Sequence, residues 1–187
     1  MTEKKANIKV SNMLQELYSD KQDLALATIK KLESTGNISL IPDLFKAYTS
    51  LKDTLIKKKI LEFLSNIQKQ EACSEIVRLI ENEKNATFQQ EFLTIIWNSK
   101  MDFSAYLANV IFLAVKGDFM QALECLTIIE NMPGPFQEEQ LLEAQLYLKD
   151  YLENRKAEDI QKNQIVSDIA LFVKNQNESS NADLLFE

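Results

Sequence analysis

One apolar register recurs along the first two thirds of the chain, and few folds accommodate it. Thr28, Ile60, Phe92 and Cys125 stand 32, 32 and 33 residues apart, and two neighbouring columns keep the same steps. These are Ile29, Leu61, Leu93 and Leu126, and then Leu32, Leu64, Ile96 and Ile129. Two residues further on the chain turns polar each time, at Ser34, Asn66, Asn98 and Asn131. In the first copy Ala25, Thr28, Ile29 and Leu32 fall at i, i+3, i+4 and i+7, one face of a 3.6-residue helix. A helical pair repeated at this interval cannot bury its apolar face alone, so consecutive pairs must stack. The register predicts an all-α fold, a right-handed α-solenoid of stacked antiparallel helix pairs.

Each copy reads as helix, turn, helix. The first runs from Leu24 to Tyr48, with one helix over about Asp23 to Ser34, Gly36 where a positive φ would end it, and a second helix starting near Ser39 with Pro42 in its first turn. Second-helix positions Ile41, Leu44, Phe45 and Tyr48 match Cys73, Ile76, Val77 and Ile80, and then Leu107, Val110, Ile111 and Ala114 if the third turn is longer. Gly117 and Asp118 separate the third pair from a helix over about Phe119 to Asn131. The array is expected to span residues 22–132. Residues 1–21 precede it as a capping helix, apolar at Val10, Met13, Leu14 and Leu17.

Met132-Pro133-Gly134-Pro135-Phe136 breaks the helical pattern, because two prolines around a glycine cannot continue a helix. Residues 136–175 then predict two longer helices, about Gln137 to Asn154 and Ala157 to Asn175, whose acids outnumber their bases and which would cap the far end. Residues 176–187 begin with the polar run Gln176 to Asn181, read as a flexible tail, and close on Leu184-Leu185-Phe186.

Composition narrows the function. With no histidine, the commonest general base and metal ligand are missing, together with every Ser-His or Cys-His nucleophile. Three glycines leave no phosphate-cradling loop. The chain is therefore expected to be no enzyme and to use no cofactor or metal, with a subunit of an enzyme complex that uses carboxylates as the alternative. Glu139 and Glu143, at i and i+4, are the one carboxylate pair spaced to share a proton or ion, and a solvated helix face explains them as well.

A net charge of -7 with Arg78 and Arg155 as the only arginines argues against direct nucleic-acid binding, and Lys57, Lys58 and Lys59 point different ways around a helix. No apolar run is long enough for a membrane span or a leader, and Cys73 and Cys125 read as buried thiols, so a cytoplasmic location is expected. The acidic balance predicts a protein partner with a basic patch and association that weakens with salt. Composition does not reach the oligomeric state.

The first copy, with Leu32-Glu33-Ser34-Thr35-Gly36-Asn37 joining the pair and Ile41-Pro42-Asp43-Leu44 opening the second helix, resembles the short bacterial form of HEAT repeats over about residues 22–131. That resemblance implies a superhelix with protein-binding use. Lys116-Gly117-Asp118-Phe119-Met120-Gln121-Ala122-Leu123-Glu124 resembles the helix opening of a tetratricopeptide repeat, which implies a similar role. Asn181-Ala182-Asp183-Leu184-Leu185-Phe186 resembles the peptide by which bacterial replication and repair proteins dock on the sliding clamp, with Asn181 where that motif has glutamine. Such a tail would tether the chain to a larger assembly, or fold back on the chain's own surface.

The partner-binding candidates are Trp97, Tyr48, Leu184, Leu185 and Phe186. Trp97 shares its column with Glu33, Ser65 and Glu130, which suits a partly exposed binding position, while the usual burial of tryptophan suits a rotated third copy with Trp97 in the core. Tyr48, like Phe45, lies on the second-helix face, where core and binding roles compete.

Overall fold

The structure, a computed structural model, describes residues 12–19 and 21–183, with side chains as far as Asn177. Every regular element among the described residues is helical. A short helix over 12–16 precedes α1 (Gln22–Ser34), α2 (Ile41–Ser50), α3 (Thr54–Ser65), α4 (Ala72–Glu81), α5 (Gln89–Asn98), α6 (Leu107–Lys116), α7 (Phe119–Glu130), α8 (Glu138–Asn154) and α9 (Ile160–Asp183). The chain divides into two compact units: residues up to Leu79 with Asn98–Met101, and Ile80–Trp97 with Asp102 onward.

In the first unit α3 packs against both α1 and α2. The start of α3 is fixed by Asp53, whose carboxylate accepts the Leu55 and Ile56 amides at 2.9 and 3.0 Å and the Gln22 side-chain amide at 2.7 Å. Those bonds, led by that from Ile56, hold the Asp53 carboxyl below its usual range. At the other end of the α1–α3 stack, Asn66 donates to Glu33 at 3.2 Å and Lys69 to the Gly36 carbonyl at 2.7 Å. Gly36 has φ +58°, the left-handed conformation that ends α1 as its position predicts. Thr28, the only hydroxyl in its column, is fully buried and donates to Glu16 at 2.7 Å.

In the second unit α6 packs against α7 and α8, and α9 packs against α6, α7 and α8. Asp118 caps α7 by accepting the Gln121 amide at 2.9 Å, and the buried Gln121 side chain donates to the Leu113 carbonyl at 2.9 Å. Gly117 allows that fold-over, since a Cβ there would come within 2.4 Å of the Gln121 side chain. Lys162, near the start of α9, donates to the carbonyls of Val115 and Gly117 at 2.8 and 2.6 Å and lies over the Tyr151 ring. Burial pushes its ammonium below the usual lysine range. No helix among the described residues is long and apolar enough to cross a membrane.

Burial follows the register. Thr28, Ile60, Phe92 and Cys125 are fully buried, Leu32, Leu64, Ile96 and Ile129 are buried, and the twelve matched second-helix positions from Ile41 to Ala114 are all core. Burying each large apolar side chain contributes about 1.5–3 kcal/mol, so these columns hold the helices together. Leu61 and Leu126 are half-buried, while Ser34, Asn66, Asn98 and Asn131 lie exposed at helix ends. Both cysteines are free and buried, and burial raises the Cys125 thiol far above the ordinary range.

Two boundaries differ from the sequence reading. The second helix of the first pair opens with a 3-10 turn, Ile38–Leu40, before α2 begins. The last helix does not stop near Asn175 but continues to Asp183 through the polar run read as a flexible tail, because that run has neither glycine nor proline to end it.

Candidate functional site

The candidate site is a hollow of about 330 Å³ between α5 and α7. Leu93 and Ile128, both buried, form its floor. Trp97, Leu123, Glu124 and Thr127 rise around it with Thr94. Two glutamine bridges set the spacing of the two helices: Gln90 donates to Glu124 Oε1 at 3.2 Å, and Gln121 donates to Gln89 Oε1 at 3.4 Å. Gln89 in turn donates to the Ile80 carbonyl at 3.0 Å. The wall positions are therefore held by polar bonds outside the apolar columns.

Trp97 is the sole tryptophan and is 54% exposed. It sits where its column places it, on the surface one turn from a buried row. Glu124 is half-buried, and desolvation, with smaller contributions from Glu91 and Asp118, raises its carboxyl above the usual glutamate range; the Gln90 bond opposes the shift. No lysine or arginine pairs with Glu124 among the described residues. The hollow therefore joins an open indole to a partly dehydrated carboxylate that no cation among the described residues pairs with, a combination suited to a cation.

Tyr48 does not join this site. It is 5% exposed, packed into the first unit on the buried face of α2, with Lys57 4.7 Å above its ring, which places it among the core residues. Phe45 is buried beside it. Leu184, Leu185 and Phe186 lie outside the described residues. The three adjacent lysines separate as their helical spacing predicts: Lys57 covers Tyr48, Lys59 pairs with Glu62, and Lys58 is exposed. Glu143 accepts the Tyr147 hydroxyl at 2.7 Å, and no group of three potential metal-ligating side chains occurs among the described residues.

Sequence reasoning missed Glu124, Thr127 and Leu123. A usable signal existed, since these residues face the Trp97 column across one repeat step, but glutamate and threonine are too ordinary on helix surfaces to attract notice. A larger groove, about 480 Å³, is lined by residues of α8 and α9. Lys149, Glu153 and Lys174 along it mix both signs of charge, and so define no ligand. No family model, curated protein or solved structure matches this chain.

Proposed function

We propose that the protein is a non-enzymatic, cytoplasmic scaffold, a right-handed α-solenoid of HEAT-like helix pairs, that holds a protein partner by a cationic side chain seated in the Trp97 hollow. The stacked geometry is supported by packing between helices one repeat apart, α1 with α3 and α6 with α8, and by bonds such as Asn66 to Glu33 and Gln90 to Glu124. The observation that carries the binding role is the exposed Trp97 beside the counter-ion-free Glu124. Exposed aromatics at the centre of a contact supply much of its binding energy, and the net charge of -7 steers a basic partner toward them. The partner meets the chain directly, without nucleic acid or membrane between them.

The test is affinity purification of the tagged full chain beside Trp97→Ala and Glu124→Gln, at low and moderate salt. A partner retained by the wild type, released by salt and lost from both variants is the expected result. Retention unchanged by both substitutions would move the binding surface elsewhere.

A further inference from the structure

The hollow offers acceptors. The Thr127 hydroxyl gives its hydrogen to the Leu123 carbonyl at 2.9 Å, so toward an occupant its oxygen can only accept. The Thr94 hydroxyl likewise donates to the Glu91 carbonyl. Gln90 donates to Glu124 Oε1, which leaves Oε2 as the carboxylate oxygen without a competing glutamine amide. Apart from the Trp97 indole N–H, an incoming group meets the Glu124 carboxylate, the hydroxyl oxygens of Thr94 and Thr127 and one aromatic face.

On the reading that the hollow takes a cationic side chain, we infer that this side chain is an unmodified lysine. An ammonium carries three donors on a compact point charge, which match a carboxylate, two hydroxyl oxygens and a π face set around one small hollow. Arginine gains most from pairing both carboxylate oxygens in its planar fork, and at Oε1 it would have to share the acceptor with the Gln90 amide. A trimethylated ammonium has no N–H to donate and relies on a cage of several aromatic rings, whereas this hollow presents the single indole of Trp97. Acetylation removes the charge and leaves the carboxylate without a counter-ion.

The sole tryptophan lies in the hollow, so its fluorescence and its indole N–H resonance report occupancy directly. Five capped tripeptides, acetyl-Gly-X-Gly-amide with X as lysine, arginine, trimethyl-lysine, acetyl-lysine or norleucine, are titrated into the intact chain. Lysine is expected to bind tightest, with arginine about threefold weaker and trimethyl-lysine and acetyl-lysine about tenfold weaker, the worth of one charge-assisted hydrogen bond. In Glu124→Gln, lysine should fall to the level of norleucine. Arginine equal to or tighter than lysine would overturn the lysine assignment and leave the cationic reading standing. Norleucine or acetyl-lysine equal to lysine, or no response to any peptide, would overturn both.

Discussion

In the first unit the positions that correspond to Trp97, Glu124 and Thr127 are Glu33, Lys59 and Glu62. Where α1 stacks on α3, Glu33 accepts the Asn66 amide and Lys59 pairs with Glu62, so charges at this junction are answered within the unit. Where α5 and α7 enclose the hollow, the same positions hold an open indole, a partly dehydrated carboxylate and a threonine. The Thr28 and Leu32 columns beneath are buried in both places, while Leu61 in the one and Leu126 in the other are half-buried. The two places therefore differ at five surface positions, since Thr94 and Leu123 of the hollow also correspond to Lys30 and Lys58, while Leu93 and Ile128 of its floor correspond to the apolar Ile29 and Phe63.

The comparison breaks most severely at the shared buried column. Phe92→Ala should cost about 3–5 kcal/mol through the cavity it leaves, while Thr28→Val at the same register position should cost about 1 kcal/mol for its bond to Glu16. Urea unfolding followed by helical circular dichroism and by Trp97 fluorescence checks both. Next in size, Glu124→Lys gives the hollow the charge found at Lys59. It should weaken the lysine tripeptide about thirtyfold or more, read by the same fluorescence titration, because like charges then face each other.

A pH series sharpens the contrast. Burial raises the Glu124 carboxyl, so its charge is lost at a higher pH than that of an ordinary glutamate. Lysine binding should hold at neutral pH and fade as pH drops through that raised range, before exposed glutamates titrate. The same sign applies to stability: ionising this group costs the folded state, so Glu124→Gln should be slightly more stable than wild type at neutral pH, with the gain vanishing in acid. The smallest effect belongs to the first unit. Lys59→Met removes a pair whose members are 44% and 41% exposed, and thermal unfolding should shift by no more than about 0.5 kcal/mol.

The helices were legible because the apolar register recurs every 32 or 33 residues, and the side chains of its Thr28 and Leu32 columns are buried at each recurrence. Column membership also placed Trp97 at the surface. Tyr48 stayed open between core and binding because aromatic character serves both, and it is its burial in the first unit that puts it in the core. The helical run to Asp183 was hidden because polarity without periodicity looks like a loop, although nothing in it breaks a helix. Glu124 was invisible for another reason: its character comes from the bond to Gln90 and from partial burial, neither of which is written in its own residue type.

Lys162 has a consequence for how the second unit opens. Its ammonium holds the Val115 and Gly117 carbonyls, the first at the end of α6 and the second just beyond it, from a position on α9. Withdrawing α9 would leave both carbonyls without that donor and uncover the core faces of α7 and α8 that it packs against. Amide hydrogen exchange should therefore find α6, α7 and the first half of α9 protected as a single foldon, exchanging together or not at all. Lys162→Met should let α9 exchange ahead of the other two.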